Sequence, residues 1–278
     1  MMRMTCYDLH SHSIASDGAL SPEDLISRAI AQGVDVLALT DHDGTEGIAA
    51  AQLASQNTDL TLIPGVEISV TWGGGTVHII GLNVDANNAT LQQGLMEMRM
   101  YRIDRAAKMA ERLEKAGIAG ALDGARKYAS DVMLGRLHFA QFLVEYGHAK
   151  NISDVFKRFL VRNKPGYVAG EWASLTNAVT WITAAGGQAV IAHPARYKMT
   201  ATKLRRLISD FKEAGGVGFE VVSGRQHPEE VKNLARLAEQ FELLASCGSD
   251  FHTPDNTWVE LGHLAALPKS CVPIWSTW

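Results

Sequence analysis

Short apolar runs alternate with stretches of helical periodicity through the first 83 residues, and again after Ser174. "MTCYDL", "VDVLALT", "LTLIPGVEISV" and "TVHIIGLNV" have the aliphatic and β-branched content of strands. The last two are separated by "TWGGGT", whose glycines mark a turn. Ser21 followed by Pro22 predicts the start of a helix in "SPEDLISRAIAQ", and a second helical stretch runs from Thr45 to about Ser55. Beyond Ser174 the spacing predicts helices over 174–185, 200–214 and 228–241, with strands at "QAVIAH", "VGFEVV" and "LLASCGSD". Continuous apolar strands between helices point to a mainly parallel sheet covered on both faces.

Between Thr90 and Arg162 the pattern is almost wholly helical. "LQQGLMEMRMYRIDRAAKMAERLEKAG" repeats apolar residues at helical spacing as far as Gly117, a C-capping residue type. Shorter helices are predicted over 121–130, 135–146 and 151–161, until "NKPGYV" breaks the pattern. The predicted organisation is an α/β barrel of about seven strands, built from residues 1–90 and 170–278 and interrupted by a helical insertion over 91–169. Both ends of the insertion are expected at the active face, which favours a lid that excludes water and sets substrate size over a plain structural extension that only buries apolar area. The terminal "CVPIWSTW" is expected to pack on the barrel or on a neighbouring subunit.

Composition narrows the picture. The chain has 278 residues, 46% hydrophobic and 20% charged, enough to bury a sizeable core. A net charge of −4 argues against a broad grip on a nucleic-acid backbone, though not against a small anion held by a few arginines. The three cysteines, Cys6, Cys247 and Cys271, form no C-x-x-C pair and fit a reducing compartment. With no apolar leader and no membrane-length apolar run, the expectation is a cytoplasmic protein without a membrane partner. No protein partner is inferred.

The candidate chemistry lies where strands end. His10 and His12 in "DLHSHSIASDG" sit two residues apart, on one side of an extended chain, and Asp17 follows. Asp41 and His42 follow the second strand ("LALTDHD"), Glu67 lies on the third and His78 on the fourth. His193 ends the next ("VIAHPAR"), and Asp250 and His252 end the last ("SCGSDFH"). In a closed parallel barrel such ends converge on one face. Six of the ten histidines gathered there with acids point to a polynuclear metal site. His138 and His148, on the insertion, fit ordinary structural roles.

"DLHSHSIASDG", "LALTDHD", "IPGVEIS", "VHIIG", "IAHPAR" and "GSDFHTP" together resemble the PHP (polymerase and histidinol phosphatase) family of metallophosphoesterases. The resemblance spans the chain outside the insertion, with nine motif positions occupied. It implies a distorted (β/α)7 TIM-like barrel with two or three divalent metal ions. By motif, His10, His12, Glu67 and Asp250 would hold the first. Glu67 would bridge to a second completed by His78 and His193, while Asp17, His42 and His252 would hold a third. Mixed imidazole and carboxylate ligands suit Mn²⁺, Fe²⁺ or Zn²⁺; the resemblance favours Mn²⁺. Such ions lower the pKa of a shared water and clamp phosphoryl oxygens. His10, His12, Glu67, His193 and Asp250 are thus the candidate catalytic set, with no separate base assigned.

"GRLHFAQFLVEYG", "NKPGYV" and "IAHPAR" further resemble the free-standing subgroup of 3′,5′-nucleotide bisphosphate phosphatases. This implies hydrolysis of the 3′-phosphate of a compound such as adenosine 3′,5′-bisphosphate, with trimming of short RNA from its 5′ end as a companion activity. A histidinol-phosphate or other small phosphomonoester phosphatase is the alternative, and a non-catalytic metal- or nucleotide-binding module ranks below both. A second phosphate needs cations outside the metal set. Arg102 and Arg105 share a helix face, Arg136 begins a helix where backbone N–H groups favour anions, and Arg196 and Arg225 follow strands. These five, with Asp17 and His42, are the candidate substrate-binding residues. Tyr101, Tyr167 and Trp172 could stack on a base, but core packing is favoured for each; for His227 a helix-capping or surface role is favoured over contact with the ligand.

Overall fold

The computed structural model describes residues 5–129 and 134–278. Met4, at the start of the first predicted strand, and residue 130, at the end of the 121–130 helix, lie outside the described residues. The elements in chain order are β1 (Tyr7–Asp8), α1 (Pro22–Ala31), β2 (Val36–Leu39), α2 (Ile48–Ser55), β3 (Thr61–Trp72) and β4 (Gly75–Leu82). The insertion follows with α3 (Ala89–Lys115), α4 (Ala121–Arg126), α5 (Arg136–Glu145) and α6 (Ile152–Val155), the last continuing into a wider turn over Phe156–Leu160. The chain then returns through α7 (Leu175–Ala184), β5 (Gln188–Ile191), α8 (Ala201–Glu213), β6 (Gly218–Ser223), α9 (Pro228–Gln240) and β7 (Leu244–Gly248).

The seven strands lie in chain order in one sheet. Leu9 N–H donates to Cys247 C=O and Ser11 bridges Phe251, which brings β1 round to β7 and nearly closes a barrel. Period-two alternation sorts the side chains. Ala38, Ile63, Ile80, Leu82, Val190 and Ala192 fill the barrel interior. Their sequence neighbours Leu37 and Leu39 face α1 and α2, while Ile79, Ala189 and Ile191 belong to the layer under α7, α8 and α9. Glu67, His78 and Glu220 have interior parity, so they continue the apolar filling upward as a polar layer. At the opposite end Ile274 plugs the interior, Trp275 stacks on Tyr7 with centroids 4.0 Å apart, and Trp278 Nε1 donates to Gln188 Oε1. The C-terminus therefore packs on its own barrel.

The sheet is mainly parallel, as expected, with one reversal. β4 runs antiparallel to both β3 and β5, so the barrel is not wholly parallel. Gly73 and Gly74, with φ of +56° and +78°, close a turn too short for a parallel crossover, and glycine accepts these angles without steric cost. His78 therefore reaches the active face at the beginning of its strand rather than at its end.

The same reversal corrects the insertion's geometry. The chain leaves β4 at the bottom of the barrel, where Asn88 caps α3 and its side chain donates to Ala184 C=O at the end of α7. The 27 residues of α3 then climb the wall; at 1.5 Å per residue they span about 40 Å. Leu91 and Leu95 belong to the barrel's outer core, whereas a separate insertion core begins at Ala106. Only the returning end, where Ala173 bridges Val70, joins the active face.

Candidate metal centre

His10, His12, Asp17, His42, Glu67, His78, His193, Asp250 and His252 meet at the top of the barrel. His10 Nε2 and His12 Nε2 lie 3.1 Å apart, each 3.4 Å from Glu67 Oε2 and 3.3 and 3.1 Å from Asp250 Oδ1. A tetrahedral ion with bonds of about 2.0–2.1 Å holds its ligands about 3.3–3.4 Å apart. These four atoms have the spacing of a ligand shell. Glu67 then spreads the centre: Oε1 is 2.9 Å from His193 Nε2 and 3.0 Å from His78 Nδ1, and Oε2 is 3.0 Å from His42 Nδ1. Asp17 anchors the third group, with Oδ1 3.3 Å from His252 Nε2 and Oδ2 3.9 Å from His42 Nε2. His42 borders two groups, and His12 borders both the first and the third.

The donor chemistry fits cations. Although some of them face each other closely, His12 Nδ1, Asp17 Oδ1, His42 Nδ1, Glu67 Oε2 and His193 Nδ1 are buried with no aligned hydrogen bond among the described residues, a concentration that a folded core avoids unless another ligand satisfies them. Burial disfavours the charged forms of His12, His42, His252, Asp17, Glu67 and Asp250. Even so, Glu67 and Asp17 outweigh it at His42, lifted to about 9, and Asp17 and Asp250 at His252, lifted to about 10. Burial and the neighbouring His252 push His12 down to about 3. Despite burial, the imidazoles hold Glu67, Asp17 and Asp250 well below the usual carboxylate range.

The backbone is bent to present these groups. His193 and Asp250 have φ of +27° and +55°, and Asp43 beside His42 has +47°, a region ordinary side chains leave to special sites. Gly248 is required by close approach, since a Cβ there would lie 2.2 Å from His10 Cβ.

Three acids outside the predicted set hold the centre. Glu220 Oε1 accepts from His10 Nδ1 at 3.0 Å, and its Oε2 accepts from His193 N–H. Asp41 accepts from Ser13 N–H, Ser13 Oγ and Ser16 Oγ and pins the loop between His12 and Asp17; burial, against those hydrogen bonds, raises it to about 6. Asp43 accepts from Ser69 N–H. An acid within the apolar run "GFEVV" and the second aspartate of "TDHD" were the visible signals.

The five arginines separate. Arg102, buried, pairs with Asp43 and donates to Ser69 Oγ at 2.9 Å. Arg196, half exposed, pairs with Asp250 Oδ2. Arg105 and Arg136 have no carboxylate partner among the described residues; Arg105 donates to Val168 C=O and lies over Trp172, and Arg136 lies over Phe156. Burial and the charges of Arg136 and Arg102 lower Arg105 to about 10, which leaves it cationic at neutral pH. Both line a cavity of about 180 Å³ whose wall includes Asp17, His42 and His78. Tyr167 and Trp172 also line it, so core packing does not describe them, whereas Tyr101 donates its hydroxyl to Ala169 C=O. Arg225 lies elsewhere, over Trp258. His138 Nδ1 accepts from Gly135 N–H and His227 caps α9.

Residues 8–221 match the family model described as PHP domain. The chain is 48% identical over 273 residues to the 3′,5′-nucleoside bisphosphate phosphatase of Chromobacterium violaceum, covering 98% of this chain and 96% of that one. It is 46% identical over 274 residues to the 5′-3′ exoribonuclease Rnm of Escherichia coli, covering 98% and 93%. A solved structure of an amidohydrolase from Chromobacterium violaceum, with bound sulfate and no metal, superposes with a TM-score of 0.93 at 47% identity, covering 98% of this chain and 95% of that one. Among the described residues no helix is long and apolar enough to cross a membrane.

Proposed function

On the premise that this chain belongs to the PHP domain family, we propose that it is a metal-dependent phosphatase that removes the 3′-phosphate of nucleoside 3′,5′-bisphosphates. We propose further that it releases nucleotides from the 5′ end of short RNA. The observation that carries this reading is a centre of eight His, Asp and Glu side chains spaced to hold metal ions, three of which share one cavity with Arg105 and Arg136, two cations without a carboxylate partner among the described residues. A monophosphate needs the first feature only; a second phosphate needs both.

His10, His12, Glu67 and Asp250 would hold one ion, Glu67 with His78 and His193 a second, and Asp17, His42 and His252 a third, with Mn²⁺ the preferred metal. Bound there, divalent cations supply a nucleophilic water at neutral pH and neutralise phosphoryl oxygens. Arg105 and Arg136 take the 5′-phosphate, helped by the N-terminal end of α5, which favours an anion. Trp172 and Tyr167 confine the nucleoside between the two phosphates. Arg102 is held by Asp43 and keeps α3 against the loop that carries His42. Water attacks the 3′-phosphorus, the P–O3′ bond breaks, and the ribose hydroxyl leaves with a proton.

Purified protein with Mn²⁺ would be assayed on adenosine 3′,5′-bisphosphate, AMP, histidinol phosphate and a short 5′-phosphorylated RNA. Release of phosphate from the bisphosphate at the highest kcat/KM is the expected result. Faster turnover of histidinol phosphate would overturn the reading, because an imidazole substrate has no use for the arginine pair.

A further inference from the structure

A second cavity opens on the same face of the barrel, on the β6–β7 side rather than the β2–β4 side that borders the arginine pair. It measures about 330 Å³ and is walled by the loops that follow β6 and β7. Trp258 stands in it with 70% of its surface exposed, and the Arg225 guanidinium lies 4.8 Å from the centre of its ring. Gln226, also in the wall, has a buried Nε2 with no hydrogen-bond partner among the described residues, and the same holds for Ser223 Oγ, on the last residue of β6. An open indole carrying an arginine, beside unsatisfied donors, has the composition of a platform for a nucleobase and its phosphate.

Arg196 stands between this cavity and the metal centre. Asp250 pairs with Arg196, and Arg196 Nη2 lies 3.4 Å from the position a Cβ on Gly224 would take. Gly224 is part of the cavity wall and directly precedes Arg225. Asp250 and Arg196 thus lie next to the wall that carries Arg225 and Trp258.

We propose that this cavity is the subsite for the nucleotide that follows the scissile phosphate in an RNA chain, its base stacked on Trp258 and its backbone met by Arg225. The proposal rests on the RNA half of the function put forward above. The bond broken is the same in both substrates: water oxygen bonds to phosphorus, the P–O3′ bond breaks, and the 3′-oxygen takes a proton. In RNA the phosphate stays on O5′ of the next nucleotide. With the first nucleotide's 5′-phosphate on Arg105 and Arg136, that next nucleotide projects from the opposite side of the centre, toward Trp258. A bisphosphate ends at the phosphate and never reaches the cavity.

The test compares kcat/KM for a 5′-phosphorylated tetraribonucleotide with that for adenosine 3′,5′-bisphosphate, using Mn²⁺-loaded wild type, Trp258→Ala, Trp258→Phe and Arg225→Gln. The ratio of tetranucleotide to bisphosphate is expected to fall about fivefold or more in Trp258→Ala and Arg225→Gln, and to recover in Trp258→Phe. In EDTA, anisotropy of a 3′-fluorescein-labelled tetranucleotide should show binding weakened by a similar factor in the first two variants. A ratio and an affinity equal to wild type in both would overturn the subsite while leaving RNA as a substrate. A wild-type enzyme that hydrolyses the bisphosphate but leaves the tetranucleotide intact would overturn the subsite together with the RNA half of the function.

Discussion

Glu220 Oε1 lies 3.0 Å from His10 Nδ1, both fully buried, and this contact sets which nitrogen of His10 faces the centre. With Nδ1 donating to the carboxylate, the Nε2 lone pair is directed at His12, Glu67 and Asp250. The other oxygen of Glu220 accepts from His193 N–H, so one carboxylate orients groups far apart in the sequence.

Replacing Glu220 by Gln keeps the volume and removes the charge that fixes His10. Metal affinity or activity is expected to fall about 10–100-fold, the usual cost of losing such a partner. Metal titration followed by calorimetry checks it; affinity within twofold of wild type would remove Glu220 from the account.

Asp250→Asn should abolish turnover while the protein stays folded. The amide keeps the shape but loses the anion that faces His10 and His12 on one oxygen and Arg196 on the other. Circular dichroism and phosphate release check the two halves, and undiminished turnover would count against the centre.

Arg105→Ala and Arg136→Ala should raise KM for adenosine 3′,5′-bisphosphate about tenfold or more, as loss of a charge-assisted contact of about 1.5–3 kcal/mol implies. Adenosine 3′-monophosphate, lacking the 5′-phosphate, should be far less affected. Equal losses on both substrates would point to a general disturbance of the cavity.

Proton linkage follows from the charge pattern. In metal-free protein His42, at about 9, and His252, at about 10, are protonated at pH 7, and a ligand must be neutral. Cation uptake therefore releases protons, and apparent affinity should rise as pH goes from 6 to 9. Calorimetry in buffers of different ionisation enthalpy measures the release, and none would contradict this. The sign for stability is fixed too. Raised imidazoles stabilise the metal-free fold fully below their ordinary value near 6.5, and that part is lost as pH climbs through 9 and 10. The depressed carboxylates of Asp17, Glu67 and Asp250 stabilise it above their ordinary range, and that part is lost on acidification. Melting temperature against pH in EDTA should fall on both sides.

Alternation of apolar and polar positions carries most of the architecture. It shows that a chain of short apolar strands and amphipathic helices interrupts itself with a helical segment, and that histidines and acids cluster where strands end. Local geometry suffices for this: a strand's period of two and a helix's of 3.6 decide which side chain can face a core. Ser21 capping α1 and His227 capping α9 were legible for the same reason. Tertiary structure alone decided what depends on direction and register. The antiparallel course of β4 moved the root of α3 to the bottom of the barrel, and the parity of β6 turned Glu220 inward to His10. It also divided the arginines, pairing Arg102 with Asp43 and Arg196 with Asp250 and leaving Arg105 and Arg136 without a carboxylate partner among the described residues. Such pairings join residues tens to hundreds of positions apart, and the distance between two charges, which no periodicity encodes, determines whether they neutralise each other or wait for a ligand.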